Sequence, residues 1–425
     1  MTETGAGELI TRPIANRHFV GLRLSDDGRR LSGVVLSAAG LGLNAQVALI
    51  GSANIELPEH LSALSPWNES ARRSPHDCPA FATEVAEWQA SLVAQLLADT
   101  SLDPDQVLVI GVDDPGVWHE YPNGQRACIT LTDASRLAET TGLSVIDAFS
   151  ARDLAQGGGG GPLWPIPLLL LFGNEIGRFG GGPWAVVELG QAVHIYCFSA
   201  PIAANDPRFS FHAVQPGLEL LDMLVAELTS GQEQFDAGGR WAVQGRKIES
   251  LIEDWSQLEV FINPPAWSPR WSGGKQFLIT LQQSAHSRRP LQDVLCSATH
   301  LAAEGICRAL GRAHPNPTEV GAGMIIGRGR QNGMLLRELG VRLPGLTWHS
   351  PADFGIDDGA VRAAMVAILG LLHVDHVPAN LPEITGAETP RVLGRLTPGT
   401  PRHWRRLLGE MAANRPQMMT LRYAI

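Results

Sequence analysis

The chain has 425 residues, a formal net charge of −10 and 44% apolar residues. That length predicts two domains, and the apolar share is enough to give each a core. The acidic balance argues against a general nucleic-acid role, and the longest apolar run, residues 163–172, holds two prolines and is too short to cross a bilayer.

The five cysteines (Cys78, Cys128, Cys197, Cys296 and Cys307) are scattered without CxxC spacing. This pattern predicts free thiols in a reducing cytoplasm and no zinc site. Residues 1–17 lack the apolar core of a secretory signal. A soluble cytoplasmic protein is expected.

In chain order, residues 19–24, 31–37 and 46–51 read as short strands, the first two joined by the turn Ser25-Asp26-Asp27-Gly28. Residues 81–97 form an amphipathic helix on Val85, Trp88, Leu92 and Leu96. Residues 107–110 read as a buried strand followed by VDDPGVWHEYP, which places His119 just past a strand end, where α/β proteins bind ligands. A helix over 134–141 stops at Gly142, a left-handed stop. The strand LSVIDAF leads into Arg152-Asp153 and then five glycines, Gly157 to Gly161. So much glycine has a physical reason only where the backbone needs unusual φ or another group approaches closely.

Downstream, residues 184–189 and 192–198 read as a hairpin, and residues 218–228 and 291–310 as helices. A strand over 324–326 runs into GRGRQN, a glycine turn whose arginines suit an anion. Residues 355–370 carry a helical stripe (Val361, Met365, Ile368, Leu372). His373, Asp375 and His376 straddle a helix end and read as a solvated cluster, with no metal expected. Trp404, Leu407, Leu408 and Met411 predict a C-terminal amphipathic helix that docks on the body or on a partner.

Residues 138–165 read AETTGLSVIDAFSARDLAQGGGGGPLWP. They resemble the signature AERTGLPVV-DFR-RD-A-GGQGAPLVP of the anhydro-N-acetylmuramic acid kinases, matching among others at Gly142, Phe149, Arg152, Asp153, Gly157, Gly158, Gly160, Pro162 and Pro165. The likeness spans residues 19–399 and is also dense over 379–399. It implies an α/β, two-lobed actin-like or sugar-kinase fold with ribonuclease H-like repeats and a cleft between the lobes. The implied division is lobe I over 1–132 with a return of 379–399, lobe II over 133–378, and a helical extension over 400–425.

Function must still be argued site by site. The family's phosphate hairpin GxMSGTSxDGxD corresponds here to GLRLSDDGRRLSG, with Gly21, Ser25 and Gly28 loosely placed and Asp26 and Asp27 adding negative charge. SHGQT-WH--P keeps only Trp118, His119 and Pro122. NIGGIAN becomes VELGQAV and retains Gly190. FDTGPGN---D becomes HAVQPGLELLD, so the general-base aspartate falls on Ala213 while Pro216, Gly217 and Asp222 persist. The loop PPPKSTGRE-F has Arg270 in place of its lysine, and the sugar-facing glutamate becomes Arg362. CGGGARN keeps Gly327, Gly329 and Asn332 but gains Arg328 and Arg330.

The expected catalytic candidates are Asp153, His119, His212 and Asp222. Substrate contacts are expected from Arg152, Gly157, Gly158, Gly160, Arg362 and Arg270. If nucleotide or another anion binds, Gly190, Gly217, Gly327, Arg328, Gly329, Arg330 and Asn332 would hold it. Because the departures concentrate on chemistry, the leading expectation is that ATP-dependent sugar phosphorylation has been lost and the cleft reused for a small polar or anionic metabolite. No cofactor is then expected; ATP and Mg return only if a rewired kinase survives. A non-catalytic binding protein is the third reading, and a homodimer is left open.

Overall fold

The computed structural model describes residues 16–64, 77–176, 183–198, 209–264, 267, 274–284, 288–313 and 321–413. The first half opens with an antiparallel meander of β1 (Arg17–Leu24), β2 (Arg30–Ala39) and β3 (Gln46–Glu56). The helix Asp77–Thr100 carries the chain back to β4 (Val107–Asp113), which lies parallel to β1. A separate hairpin, β5 (Val117–Glu120) and β6 (Arg126–Ile129), follows. The helix Ala134–Thr141 then leads to β7 (Val145–Asp147), parallel to β4. Asp133 Oδ1 caps that helix by accepting from Arg136 N–H at 3.0 Å, and Gly142 stops it at φ 75°.

The second half repeats the plan. A meander of β8 (Trp184–Leu189), β9 (Val193–Phe198) and β10 (Phe209–Val214) precedes β11 (Ala322–Ile326) and β12 (Thr347–His349), both parallel to β8. Finally β13 (Arg395–Thr397) pairs antiparallel with β7. The sheets run β13-β7-β4-β1-β2-β3 and β10-β9-β8-β11-β12. Leaving β13 and the β5–β6 hairpin aside, each sheet places its third, second, first, fourth and fifth strands in that order, so the chain is a duplicated α/β unit.

Packing follows from hydrophobic pattern. The edge strand β3 alternates half-buried and exposed residues, as an edge facing water on one side should, whereas β4 and β8 are apolar on both faces. The helix Asp77–Thr100 covers the outer face of the first sheet through Phe81, Val85, Leu92 and Leu96. The helices Leu218–Leu228 and Leu291–Ala313 cover the outer face of the second. Between the sheets lie the helices Pro165–Ile176 and Val361–Val374, in one apolar cluster with Phe19, Val109, Val186 and Met324. The Val361–Val374 helix is apolar nearly all round, as a helix buried between two layers must be.

Glycine admits this close packing. A Cβ at Gly21 would stand 2.0 Å from the Ala363 carbonyl oxygen, so β1 must carry glycine there for the helix to lie on the sheet. This corrects the placement of Gly21 in a phosphate turn. The expected lobe boundary at residue 132 also differs from the strand pairing. β7 belongs to the first sheet although it lies past that boundary, and the Val361–Val374 helix packs on β1 and β4, whereas β13 joins the first sheet within the expected return of 379–399. The C-terminal helix is Pro401–Ala413 and sits on the body of the protein. Its His403 accepts from Ser144 N–H at Nδ1 and reaches the Val107 carbonyl through Nε2 at 3.0 Å.

Candidate functional site: the interlobe cleft

The carboxyl ends of β1, β4 and β8 open onto one cleft of about 710 Å³, lined from both halves of the chain. Ligands in α/β proteins bind at such strand ends. On the first wall, Arg23 Nη2 donates to Asp26 Oδ1 at 2.6 Å and Arg23 Nε stands 3.3 Å from Asp113 Oδ2. Burial pushes the Asp113 carboxyl up to about 6, against the pull of Arg23, and Asp114 and Asp26 add to the rise. Asp114 itself is committed to the backbone. It accepts from Gly116 N–H at 2.8 Å, from Leu131 N–H at 3.0 Å and from the Thr132 hydroxyl at 2.7 Å. Those bonds fix the chain at both ends of the β5–β6 hairpin.

The opposite wall centres on Glu188, 5% exposed near the end of β8. It is ion-paired with Arg362, accepts from the Tyr196 hydroxyl at 3.3 Å and lies 3.4 Å from His194 Nδ1. Burial pushes His194 down to about 4 and Arg362 down to about 10, the latter helped by repulsion from Arg23. The Arg362 guanidinium also stands over the Trp164 ring, 4.9 Å from its centroid. The turn Gly190-Gln191-Ala192 and Glu219 complete this side.

The glycine loop forms the floor. Asp153 is fully buried beneath it and accepts from Gly160 N–H at 2.8 Å, Asn380 Nδ2 at 2.8 Å and the Thr385 hydroxyl at 2.6 Å. A Cβ at Gly158 would stand 2.2 Å from Asp153 Oδ2, which explains a glycine at that point. Above the loop, Trp118 and Trp267 meet edge to face with centroids 5.6 Å apart. Arg126 Nη1 donates to the Trp267 carbonyl at 2.9 Å, tying that tryptophan to the hairpin. Arg395 grips Asp147 bidentately at 3.0 and 2.6 Å along the cleft edge.

Of the residues expected from sequence, Gly160, Gly190 and Arg362 line the cleft. Asp153 is corrected from catalytic candidate to loop anchor, because its oxygens are consumed and water does not reach it. Arg152 points to solvent from the Ser150–Leu154 helix, Gly157 is exposed outside the cleft lining, and Gly158 is buried against Asp153. His119 is exposed on β5 against Tyr121, with centroids 4.6 Å apart, and its neighbour Trp118 faces the cleft instead. His212 sits on β10 opposite Ile195, away from the cleft. Asp222 is ion-paired with Arg328, so two expected site residues do meet, but outside the cleft. Arg330 binds Asp358 at 2.6 Å, and Asn332 caps the Gly333–Arg342 helix by accepting from Leu335 N–H at 3.0 Å. A Cβ at Gly217 would meet the Gln191 carbonyl at 1.9 Å, and one at Gly327 or Gly329 would meet Leu189, so these glycines serve packing of the β8–β9 turn. Arg270 lies outside the described residues.

His373, Asp375 and His376 do not form the expected solvated cluster. Asp375 is buried on Arg17 at 2.5 Å, while His373 and His376 turn to separate carbonyls, those of Leu393 and Met411. Among the described residues no group of three or more His, Cys, Asp or Glu side chains is placed to hold a metal. Among them also, no helix is long and apolar enough to cross a membrane.

Sequence reasoning missed Arg23, Asp113, Glu188, His194, Trp164, Trp267 and Arg395 as cleft residues. For three of these a signal existed: Arg23, Asp113 and Glu188 are charged residues in the last two positions of strands whose central residues are apolar.

Two matching α/β units facing each other across a charged cleft define the two-lobed actin-like, sugar-kinase class of fold. The family model for anhydro-N-acetylmuramic acid kinase matches residues 20–399. The chain belongs to the anhydro-N-acetylmuramic acid kinase family. Relatives of that name include one from Nitrosomonas europaea, 28% identical over 79% of this chain and 88% of its own. Another, from Xanthomonas axonopodis pv. citri, is 31% identical over 73% of this chain and 78% of its own, and one from Variovorax paradoxus is 28% identical over 91% and 100%.

Proposed function

We propose that this family member binds a small polar, sugar-sized molecule in the interlobe cleft and does not phosphorylate it from ATP. The observation that carries this reading is the β1–β2 hairpin, where the resembled family cradles phosphate. A phosphate cradle works through backbone N–H groups open to the ligand. Here Gly28 N–H donates to the Ser25 carbonyl at 2.8 Å, Arg29 N–H to Asp27 Oδ1 at 3.1 Å, and Arg30 N–H to Ser25 Oγ at 2.9 Å. Asp26 and Asp27 then turn carboxylates toward the space a polyphosphate would need. The residues present therefore do not fit a bound ATP phosphate chain, and no step is derived through one. Ala213 at the expected base position supports the same reading, since a methyl group takes no proton and losing a positioned base costs about 10²–10⁴ in rate. The cysteines, unbonded in the structure, support a cytoplasmic setting.

The test is thermal unfolding of the full chain with millimolar Mg-ATP, paired with a phosphorylation assay on anhydro-N-acetylmuramic acid. Binding to the native state must stabilise it, by about 2.7 kcal/mol at a hundredfold excess over Kd. No shift and no product are expected; either one overturns the reading. A rewired kinase is the second reading, favoured by Asp113, whose carboxyl at about 6 suits a general base in the cleft wall. Under that reading Mg-ATP shifts the melting temperature and Asp113→Asn abolishes turnover. A binder without chemistry shows ligand affinity and no product with any nucleotide.

A further inference from the structure

We propose that the cleft takes a polyhydroxylated amine, held in its protonated ammonium form. This rests on the small-molecule reading above and gives that molecule its charge. Among the described residues, six carboxylates line the cleft (Asp26, Asp27, Asp113, Asp114, Glu188 and Glu219) against three arginines. Each arginine already has its counter-charge within the protein. Arg23 serves both Asp26 and Asp113, Arg362 serves Glu188, and Arg395 is held bidentately by the buried Asp147. A ligand carboxylate or phosphate would have to break one of these pairs to find a guanidinium. A ligand ammonium breaks none and gains acceptors, because one guanidinium on the first wall is shared between two carboxylates, Asp26 and Asp113.

The rest of the cleft suits the remainder of such a molecule. Trp118, Trp164 and Trp267 offer ring faces and edges to the C–H surface of a sugar or to its ammonium. Thr130, Ser150 and Gln191 offer hydroxyl and amide partners for its hydroxyls. The volume of about 710 Å³ holds a monosaccharide or disaccharide with its water. The relatives are named for an N-acetylated sugar acid, which would bring this wall a carboxylate and no ammonium. The charge balance of the cleft thus points to a ligand of the opposite sign.

The experiment titrates the full chain with glucosamine, glucose, N-acetylglucosamine and glucuronic acid near neutral pH, read by calorimetry or tryptophan fluorescence. Glucosamine should bind at least about tenfold more tightly than glucose or N-acetylglucosamine, the scale of one charge-assisted hydrogen bond, with glucuronic acid weakest. Asp113→Asn, and separately Asp27→Asn on the exposed hairpin, should bring glucosamine toward parity with glucose. If glucose, N-acetylglucosamine or glucuronic acid binds as tightly as glucosamine, or if neither variant alters the preference, the amine assignment is overturned and the small-molecule reading stands. If none of the four binds, both fall.

Discussion

Asp153 and Gly158 meet at the point where the glycine loop turns over its anchor. Because the Asp153 carboxylate satisfies Gly160 N–H and two side chains without water, Asp153→Asn should leave one donor facing another and destabilise the fold by about 2–4 kcal/mol in urea denaturation. Ligand affinity in the folded fraction should change far less. Gly158→Ala pushes a methyl group into the same carboxylate and should cost roughly 1–3 kcal/mol. Asp113 behaves differently. Its carboxyl, at about 6 against an ordinary 3.8, faces Arg23 on β1, Asp26 on the hairpin, Asp114 beside it and Arg362 on the central helix. Ionisation of a group whose carboxyl is raised on folding opposes folding. Its stabilising contribution is therefore present below the ordinary carboxylate range and lost as pH rises through about 6. Relative to Asp113→Asn, the wild-type chain should lose up to roughly 3 kcal/mol between acid and neutral pH, followed by denaturant midpoints across that range. The sequence marked Asp153 as important and inverted its role, because burial is not written in a residue's neighbours. It passed over Asp113 because the strand was read as ending at residue 110, whereas β4 runs on to Asp113 and carries it to the cleft.

The C-terminal helix Pro401–Ala413 shows the same division one level up. Its apolar recurrence was enough to predict a helix that docks, and it docks on the body. The face it turns inward, however, carries His403 and Leu407, while Leu408 is 44% exposed. The reason is the pair of bonds from His403 to Ser144 and Val107, which rotate the helix toward its polar anchor. Leu407→Ala should therefore cost about 2–5 kcal/mol and Leu408→Ala under about 0.5, as judged from thermal or chemical unfolding. Five of the six meander strands were legible from alternation and turn residues, although β3 runs five residues past its expected end; β10 was not predicted. β7 was legible only in part: the apolar run LSVIDAF suggested a longer strand, but only Val145–Asp147 form it, since the backbone turns at Ala148 (φ 53°) into the Ser150–Leu154 helix.

Across the whole molecule, the two sheets share a central layer of helices, and one ion pair reaches from that layer into the second sheet. Arg362 and Glu188 are 174 residues apart in sequence, and Glu188 is 5% exposed. Arg362→Met should leave a buried carboxylate without its partner and cost about 3–5 kcal/mol in chemical denaturation, with partial recovery in the Arg362→Met/Glu188→Gln double variant. That pair also answers the expectation that Arg362 would present positive charge to an anionic ligand: the charge is present, and the protein itself has taken it. From the sequence alone, periodicity and turn glycines gave individual strands and helices, and the resemblance of its signature to a known family implied the duplicated α/β plan, because these are local properties of consecutive residues. Only the tertiary structure decided what the cleft is made of. Arg23 meets Asp113, Arg362 meets Glu188 and Trp118 meets Trp267 through the packing of two sheets on shared helices, and contacts between residues about ninety or more positions apart follow from that packing rather than from their neighbours in the chain.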